Sequence, residues 1–86
     1  MSNFGRAIFL LATKTKDQEK MDGIASSIDQ RKSVVETSVV PGIKVKREEY
    51  DIMVRAIGSE KEIDRVEQML KNRSDLSKVA RLTANK

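Results

Sequence analysis

The sequence contains no cysteine, no histidine and no tryptophan, and it has a single proline. The missing cysteine excludes disulfides, thiolate metal sites and cysteine nucleophiles. Without histidine, the chain lacks the commonest general base and the commonest zinc ligand. Only Phe4, Phe9 and Tyr50 are aromatic, which leaves little material for stacking nucleic-acid bases. We therefore expect a binding or assembly module without a cofactor, and not an enzyme.

Size and charge restrict the possibilities further. The 86 residues suffice for one domain, so residues 1–86 are treated as a single unit. The formal net charge is +4, with 17 basic and 13 acidic residues, which fits either a weak attraction to nucleic acid or an ordinary solvated surface. The first apolar run, residues 7–12, is far shorter than the roughly 20 residues of a membrane helix, and no targeting signal follows it. We expect a soluble cytoplasmic protein that does not enter a membrane.

The first part of the chain predicts a strand followed by a helix. Residues 7–13 form a continuous apolar run of the length typical of a buried strand. Thr15 and Gln18 have the spacing of a capping box, in which each side chain pairs with a free backbone amide. Beyond them the apolar residues recur on one face of a helix, at Met21, Ile24, Ala25 and Ile28.

The next segment has the composition of an extended chain. Residues 33–40 are rich in β-branched side chains, which suit a pleated sheet. Pro41 and Gly42 interrupt this pattern, and residues 43–46 then alternate apolar and basic side chains. The pattern leaves open whether residues 33–48 form one kinked strand or two short strands.

The second half repeats the strand and helix order. Residues 50–57 alternate, with one predicted face made of Tyr50, Ile52, Val54 and Ala56. Ser59 and Glu62 form a second capping box, and an apolar helical stripe follows it. Residues 78–83 alternate again and predict a last strand.

The element order predicts an α+β protein with the ferredoxin-like βαββαβ fold. In this fold a four-stranded antiparallel sheet carries two helices on one face. Residues 7–13 and 50–57 have apolar side chains on both predicted faces of their strands. We therefore expect a second copy of the chain to cover the other face, giving a homo-oligomer that is a dimer or larger.

Tyr50 and Asp51 are the best candidates for ligand binding. A tyrosine hydroxyl and a carboxylate can hold the ammonium group of an amino acid through charge-assisted hydrogen bonds. The structural alternative is that Asp51 caps a turn while Tyr50 packs beneath a helix. Glu48 and Glu49 add an acidic cluster that suits a divalent cation, although such acids are usually just solvated. We predict no metal site.

The densest basic cluster comprises Lys44, Lys46 and Arg47. These residues suit contacts with phosphate groups, but lysines alternating along a strand also protect an exposed sheet edge from pairing. Arg31 and Lys32, which close the first predicted helix, suit the negative end of its dipole and need no further role.

The segment Glu49–Ala56, with the capped helix and the final strand after it, resembles the ligand-sensing domain of Lrp/AsnC regulators. The opening strand and charged helix fit the same family, so the resemblance covers about residues 5–84. It implies the ferredoxin-like fold, pairing through sheet faces, larger ring assemblies, and amino acids or similar effectors bound between subunits.

For this chain the resemblance implies the stand-alone form, which has no helix-turn-helix domain. It places an amino-acid-like effector at Tyr50, Asp51 and Glu48, and it implies regulation of transcription through a partner such as a full-length relative. The family motif Gly-x-Tyr-Asp has its glycine replaced here by Glu48 or, with a gap, by Arg47. Direct DNA or RNA binding through the basic cluster is the less favoured alternative.

Overall fold

A computed structural model describes residues 4–83 of the protein. Its elements follow the predicted order: β1 Phe4–Thr13, α1 Gln18–Asp29, β2 Val34–Val45, β3 Glu48–Ser59, α2 Glu60–Lys71 and β4 Leu76–Thr83. The strands form one antiparallel sheet in the order β2-β3-β1-β4. The predicted ferredoxin-like fold is confirmed, with β1 and β3 as the central strands.

Both helices pack on the same face of the sheet and enclose the main core. Its fully buried large side chains are Phe9, Leu11, Ile28, Ile52, Val54 and Leu70. Burying a side chain of this size contributes about 1.5–3 kcal/mol, so this layer supplies most of the folding energy. Each helix within residues 4–83 has twelve residues, and neither is long and apolar enough to cross a bilayer.

The sequence predicted the N-cap of α2 correctly and that of α1 incorrectly. Ser59 and Glu62 form the predicted capping box at α2, with both hydrogen bonds present. The predicted box at Thr15 is wrong, because Asp17 is the N-cap of α1 and accepts a hydrogen bond from the Glu19 amide at 3.0 Å. The Thr15 hydroxyl instead accepts from the Asp17 amide at 3.1 Å, so it organises the turn before the helix.

Strand β2 is one continuous strand with an irregularity at its middle. Val39 pairs with Ile52 and Ile43 pairs with Tyr50, so residues 40–42 lie opposite a single residue of β3. Gly42 has a φ of 84°, which glycine adopts without steric cost. The two possibilities left open by the sequence therefore resolve to one strand that is bulged at the Pro-Gly pair.

A smaller apolar cluster lies on the sheet face away from the helices. It contains Leu10, Ala12 and Tyr50, with Ile43 and Val45 packed against them. The sequence predicted that Tyr50 and Ile52 lie on the same face of β3. This is wrong for Tyr50, because Tyr50 joins the smaller cluster whereas Ile52 belongs to the main core. The irregularity in the β2–β3 ladder lets the end of the hairpin pack over the sheet. The chain therefore covers part of its own second face.

Candidate functional site

Tyr50 lies beneath a lysine from the far edge of the sheet. Tyr50 is 7% exposed, and the Nζ atom of Lys78 lies 5.1 Å from the centroid of its ring, within cation–π range. The same ammonium donates a hydrogen bond to Oε1 of Glu48, and this bond is the main cause that raises the pKa of Lys78 above its ordinary value. Glu48, Tyr50 and Lys78 thus form one cluster, which we call the ammonium cluster.

Asp51 points to a different part of the molecule. Its Oδ2 atom accepts hydrogen bonds from the backbone amide of Thr13 at 3.1 Å, the Thr13 hydroxyl at 3.3 Å and Nζ of Lys16 at 2.9 Å. Burial alone would raise the pKa of Asp51, but the bonds from Lys16 and Thr13 outweigh it and hold the pKa below its ordinary value. This carboxylate joins the start of β3 to the end of β1.

The structure brings together only part of the residue set predicted to bind an effector. Tyr50 and Glu48 share the ammonium cluster, whereas Asp51 is engaged beside Thr13. The assignment of an effector to these residues stays a prediction. Within residues 4–83, no group of three acidic side chains is placed to hold a metal ion, so the acidic cluster of Glu48 and Glu49 does not converge with Asp51.

The turn between β2 and β3 carries an unusual backbone. Lys46 and Arg47 have φ values of 52° and 71°, the left-handed conformation that the tightest hairpin turns require at both central positions. Such turns strongly favour Asn-Gly because a Cβ atom is disfavoured there. Arg47 therefore has the backbone of a glycine, whereas Glu48 is already in the strand. Lys46 shares this glycine-like geometry with Arg47.

The predicted basic cluster lies at this end of the hairpin. Lys44 is on the edge strand β2, opposite Glu49 in the ladder, and Lys46 and Arg47 form the turn. All three are exposed, and none makes an ion pair with another residue of the described range 4–83. Their position fits both predicted roles, protection of the sheet edge and contact with phosphate groups.

An apolar strip remains on the sheet face opposite the helices. Ile8, Met53 and Ala80 are half-buried there, and Leu82, directly across from Ile8, is 38% exposed. The ion pair of Arg55 with Glu36, at 2.6 Å, lies next to this strip. We call these four apolar residues the apolar strip.

Sequence patterns did not indicate Lys78 as part of any site. It lies far from Tyr50 in sequence, and the two meet only because β4 is placed beside β1. The alternation of residues 78–83 predicted the strand correctly. The residues that Lys78 meets across the sheet depend on the strand order and on the irregularity in the β2–β3 hairpin. No local sequence pattern indicates either of these.

No protein-family model matches the sequence, and a search of curated proteins also found no match. Solved structures do resemble the fold. The crystal structure of PH0061 has a TM-score of 0.65 at 21% identity, covering 98% of this chain and 53% of that one, so this chain spans about half the length of PH0061.

Two further structures have the same architecture. The hypothetical protein PHS023 from Pyrococcus horikoshii has a TM-score of 0.69 at 16% identity, covering 94% of this chain and 89% of that one. The 30S ribosomal protein S6 from Thermotoga maritima has a TM-score of 0.57 at 9% identity, covering 98% and 89% of the two chains. At these identities the likeness establishes a ferredoxin-like domain and carries no function.

Proposed function

We propose that the protein is a self-associating ferredoxin-like module that binds a small amino-acid-like effector and acts in transcription regulation through a partner. The observation that carries the self-association in this proposal is the apolar strip on the sheet face that the helices leave uncovered. The resemblance to the ligand-sensing domain of Lrp/AsnC regulators supports the same function, with a full-length member of that family as one candidate partner.

A second copy of the chain matches the chemistry of the apolar strip. In a twofold dimer the same surface meets itself, so apolar atoms face apolar atoms. Two of the charged groups nearby are neutralised within one chain, Arg55 by Glu36 and Lys78 by Glu48. Two copies can therefore approach without opposing an unpaired charge from either ion pair. Arg6, two residues before Ile8 on β1, is exposed and makes no ion pair within residues 4–83.

The ammonium cluster suggests where an amino-acid effector would bind. The Lys78 ammonium already contacts the Glu48 carboxylate and lies over the ring of Tyr50. An effector ammonium would make the same two contacts once the Lys78 side chain moves aside, and both ends of this ion pair are exposed enough to allow it. Asp51 would support the site indirectly by fixing β3 to β1 just beside Tyr50.

Thermal denaturation with each of the twenty amino acids tests the effector proposal. A ligand at 100 times its dissociation constant stabilises a fold by about 2.7 kcal/mol, which is a shift of roughly 10 °C or more in a domain of this size. The variant Lys78→Gln removes the internal competitor and should shift further with the same amino acid, whereas Glu48→Gln should lose the shift. Lys44→Gln, with the same charge change as Lys78→Gln, is the control. An unchanged Tm with every amino acid, in both wild type and Lys78→Gln, would refute the effector site.

One observation favours a second candidate function, which is electrostatic binding of nucleic acid. Lys44, Lys46 and Arg47 are exposed at one end of the hairpin and make no ion pair with other residues in the range 4–83. Contacts to phosphate release counterions, and each one adds about 0.9 to the slope of log affinity against log salt concentration.

Titration with duplex DNA at several salt concentrations tests this second function. Replacing all three residues by glutamine should weaken binding and reduce the slope by roughly 2.7, if each contacts one phosphate. Replacing Lys14, Lys20 and Lys61, three exposed lysines elsewhere, gives a control of equal net charge. An equal loss in both triple variants would assign the binding to net charge and exclude a site on the hairpin.

A further inference from the structure

A groove in the helical layer, separate from both sites above, has the lining of an anion-binding site. It lies between α2 and the turn that joins α1 to β2 and has a volume of about 270 Å³. Arg31, Lys32 and Ser33 line it from the turn, and Arg65 lines it from α2. Three cations therefore border one small groove.

The positive charges of this groove are only partly offset by neighbouring side chains. Arg31, Lys32 and Arg65 make no ion pair within the described part of the chain. Glu62 is the one acidic residue of the lining, and its Oε1 atom accepts from the Ser59 amide at 2.8 Å in the capping box. That hydrogen bond is the main reason for the lowered pKa of Glu62.

Lys32 and Arg65 lower the pKa of Glu62 further through their charge. The carboxylate is thus already committed to the start of α2. The groove as a whole keeps a net positive charge.

The turn that carries Arg31 and Lys32 is held in place by backbone hydrogen bonds. Helix α1 ends at Asp29 and its last turn contains no basic residue. The prediction that Arg31 and Lys32 close this helix is therefore wrong, and both lie beyond its end. The carbonyl of Arg31 accepts from the Val34 amide at 3.3 Å, and the carbonyl of Ser33 accepts from the Ile57 amide at 3.0 Å. These bonds tie the turn to β2 and β3, which keeps it facing α2.

The remaining lining of the groove is apolar. Val66 is 4% exposed and belongs to the main core, and Met69 is half-buried against that core. Guanidinium groups bind phosphate or carboxylate with two parallel hydrogen bonds, and an apolar floor accommodates a hydrocarbon or ring. We propose that this groove binds a small organic anion, a phosphate or carboxylate carried on an apolar body.

Amide chemical shifts in a ¹⁵N-labelled sample test the proposal. The four probes carry an anionic group, an apolar body, or both. 1-Naphthyl phosphate has the anion and the apolar body, inorganic phosphate has the anion alone, and 1-naphthol has the body alone. 1-Naphthoate carries a carboxylate on the same body and separates the two anion types. 1-Naphthyl phosphate and 1-naphthoate each combine an anion with the apolar body, and we call them the complete probes. We expect at least one of them to give saturable shifts at residues 31–33 and 62–69, at concentrations where phosphate and naphthol each cause only small shifts.

Paired variants locate the binding. The double variant Arg31→Gln with Arg65→Gln should weaken the binding of the complete probe at least tenfold, because each substitution removes a charge-assisted hydrogen bond. Lys14→Gln with Lys20→Gln lowers the net charge equally at two exposed lysines outside the groove and should leave the affinity unchanged. Unaltered amide shifts elsewhere would show that each variant is folded.

Three results would overturn the proposal: no saturable shift at the groove, equal binding of naphthol and naphthyl phosphate, or equal weakening in both pairs of variants. A variant that unfolds is replaced by Arg65→Gln alone, for which we expect the same direction of change. These outcomes are independent of the ammonium cluster, so failure here would leave the proposed effector site untouched.

Discussion

Replacing Asp51 by alanine should destabilise the protein far more than removing its ion-pair partner. The Oδ2 atom of Asp51 accepts from the buried amide of Thr13, from the hydroxyl of Thr13 and from Nζ of Lys16. The Lys16 side chain is 72% exposed, so its pairing contributes at most about 1 kcal/mol. The Thr13 amide is left without a partner in Asp51→Ala, which costs about 1–3 kcal/mol.

We therefore expect Asp51→Ala to lose about 2–3 kcal/mol of unfolding free energy and Lys16→Ala to lose less than about 1 kcal/mol. Urea unfolding followed by circular dichroism at neutral pH measures both. If Lys16→Ala cost as much as Asp51→Ala, the ion pair and not the buried amide would be the important contact, and our assignment would be wrong.

The same carboxylate predicts a definite pH dependence. Its pKa in the folded protein lies below the ordinary value of an aspartate, so its contribution to stability is complete above about pH 5 and is lost as the pH falls through the folded pKa. The difference in unfolding free energy between wild type and Asp51→Asn should stay constant from neutral pH to about pH 5 and shrink below it. A difference that grew on acidification would contradict the lowered pKa.

Three further predictions concern stability, each measured by urea unfolding. Thr37→Val should be neutral or stabilise by about 1 kcal/mol, because the buried Oγ1 of Thr37 has no hydrogen-bond partner within residues 4–83; a clear loss would mean that the hydroxyl is satisfied. Lys46→Asn with Arg47→Gly should stabilise by about 1–2 kcal/mol by relieving two left-handed residues, and no gain would contradict that turn geometry. Asp17→Ala should cost about 1 kcal/mol as the loss of an N-cap, and an equal or larger cost for Thr15→Ala would return the cap to Thr15.

The sequence predicted the fold because each element carries its own local signal. The apolar run of β1, the stripe of α1 and the Ser59 capping box are all patterns within a few residues, and the structure confirms the elements they indicate. The start of α1 was misplaced since Thr15 and Asp17 are both good capping residues. Only the path of the chain decides which side chain reaches the first free amide.

The candidate sites depended on information that no local pattern contains. Alternation placed Tyr50 on the wrong face, because residues 40–42 of the partner strand lie opposite one residue of β3 and disrupt the register. Lys78 reaches Tyr50 across the sheet, and Arg65 and Arg31 line the same groove. Tertiary packing brings each of these pairs of residues together.

Sedimentation equilibrium tests the proposed self-association most directly. We expect the wild type to form a dimer or larger oligomer at tens of micromolar, with a mass that falls on dilution. Leu82→Asp places a charge on the exposed part of the apolar strip and should be monomeric with an unchanged circular dichroism spectrum, whereas Gln68→Asp, with the same charge change on the exposed surface of α2, should associate like wild type. A wild type that stays monomeric at hundreds of micromolar, or a Leu82→Asp variant that associates as strongly as Gln68→Asp, would contradict the account.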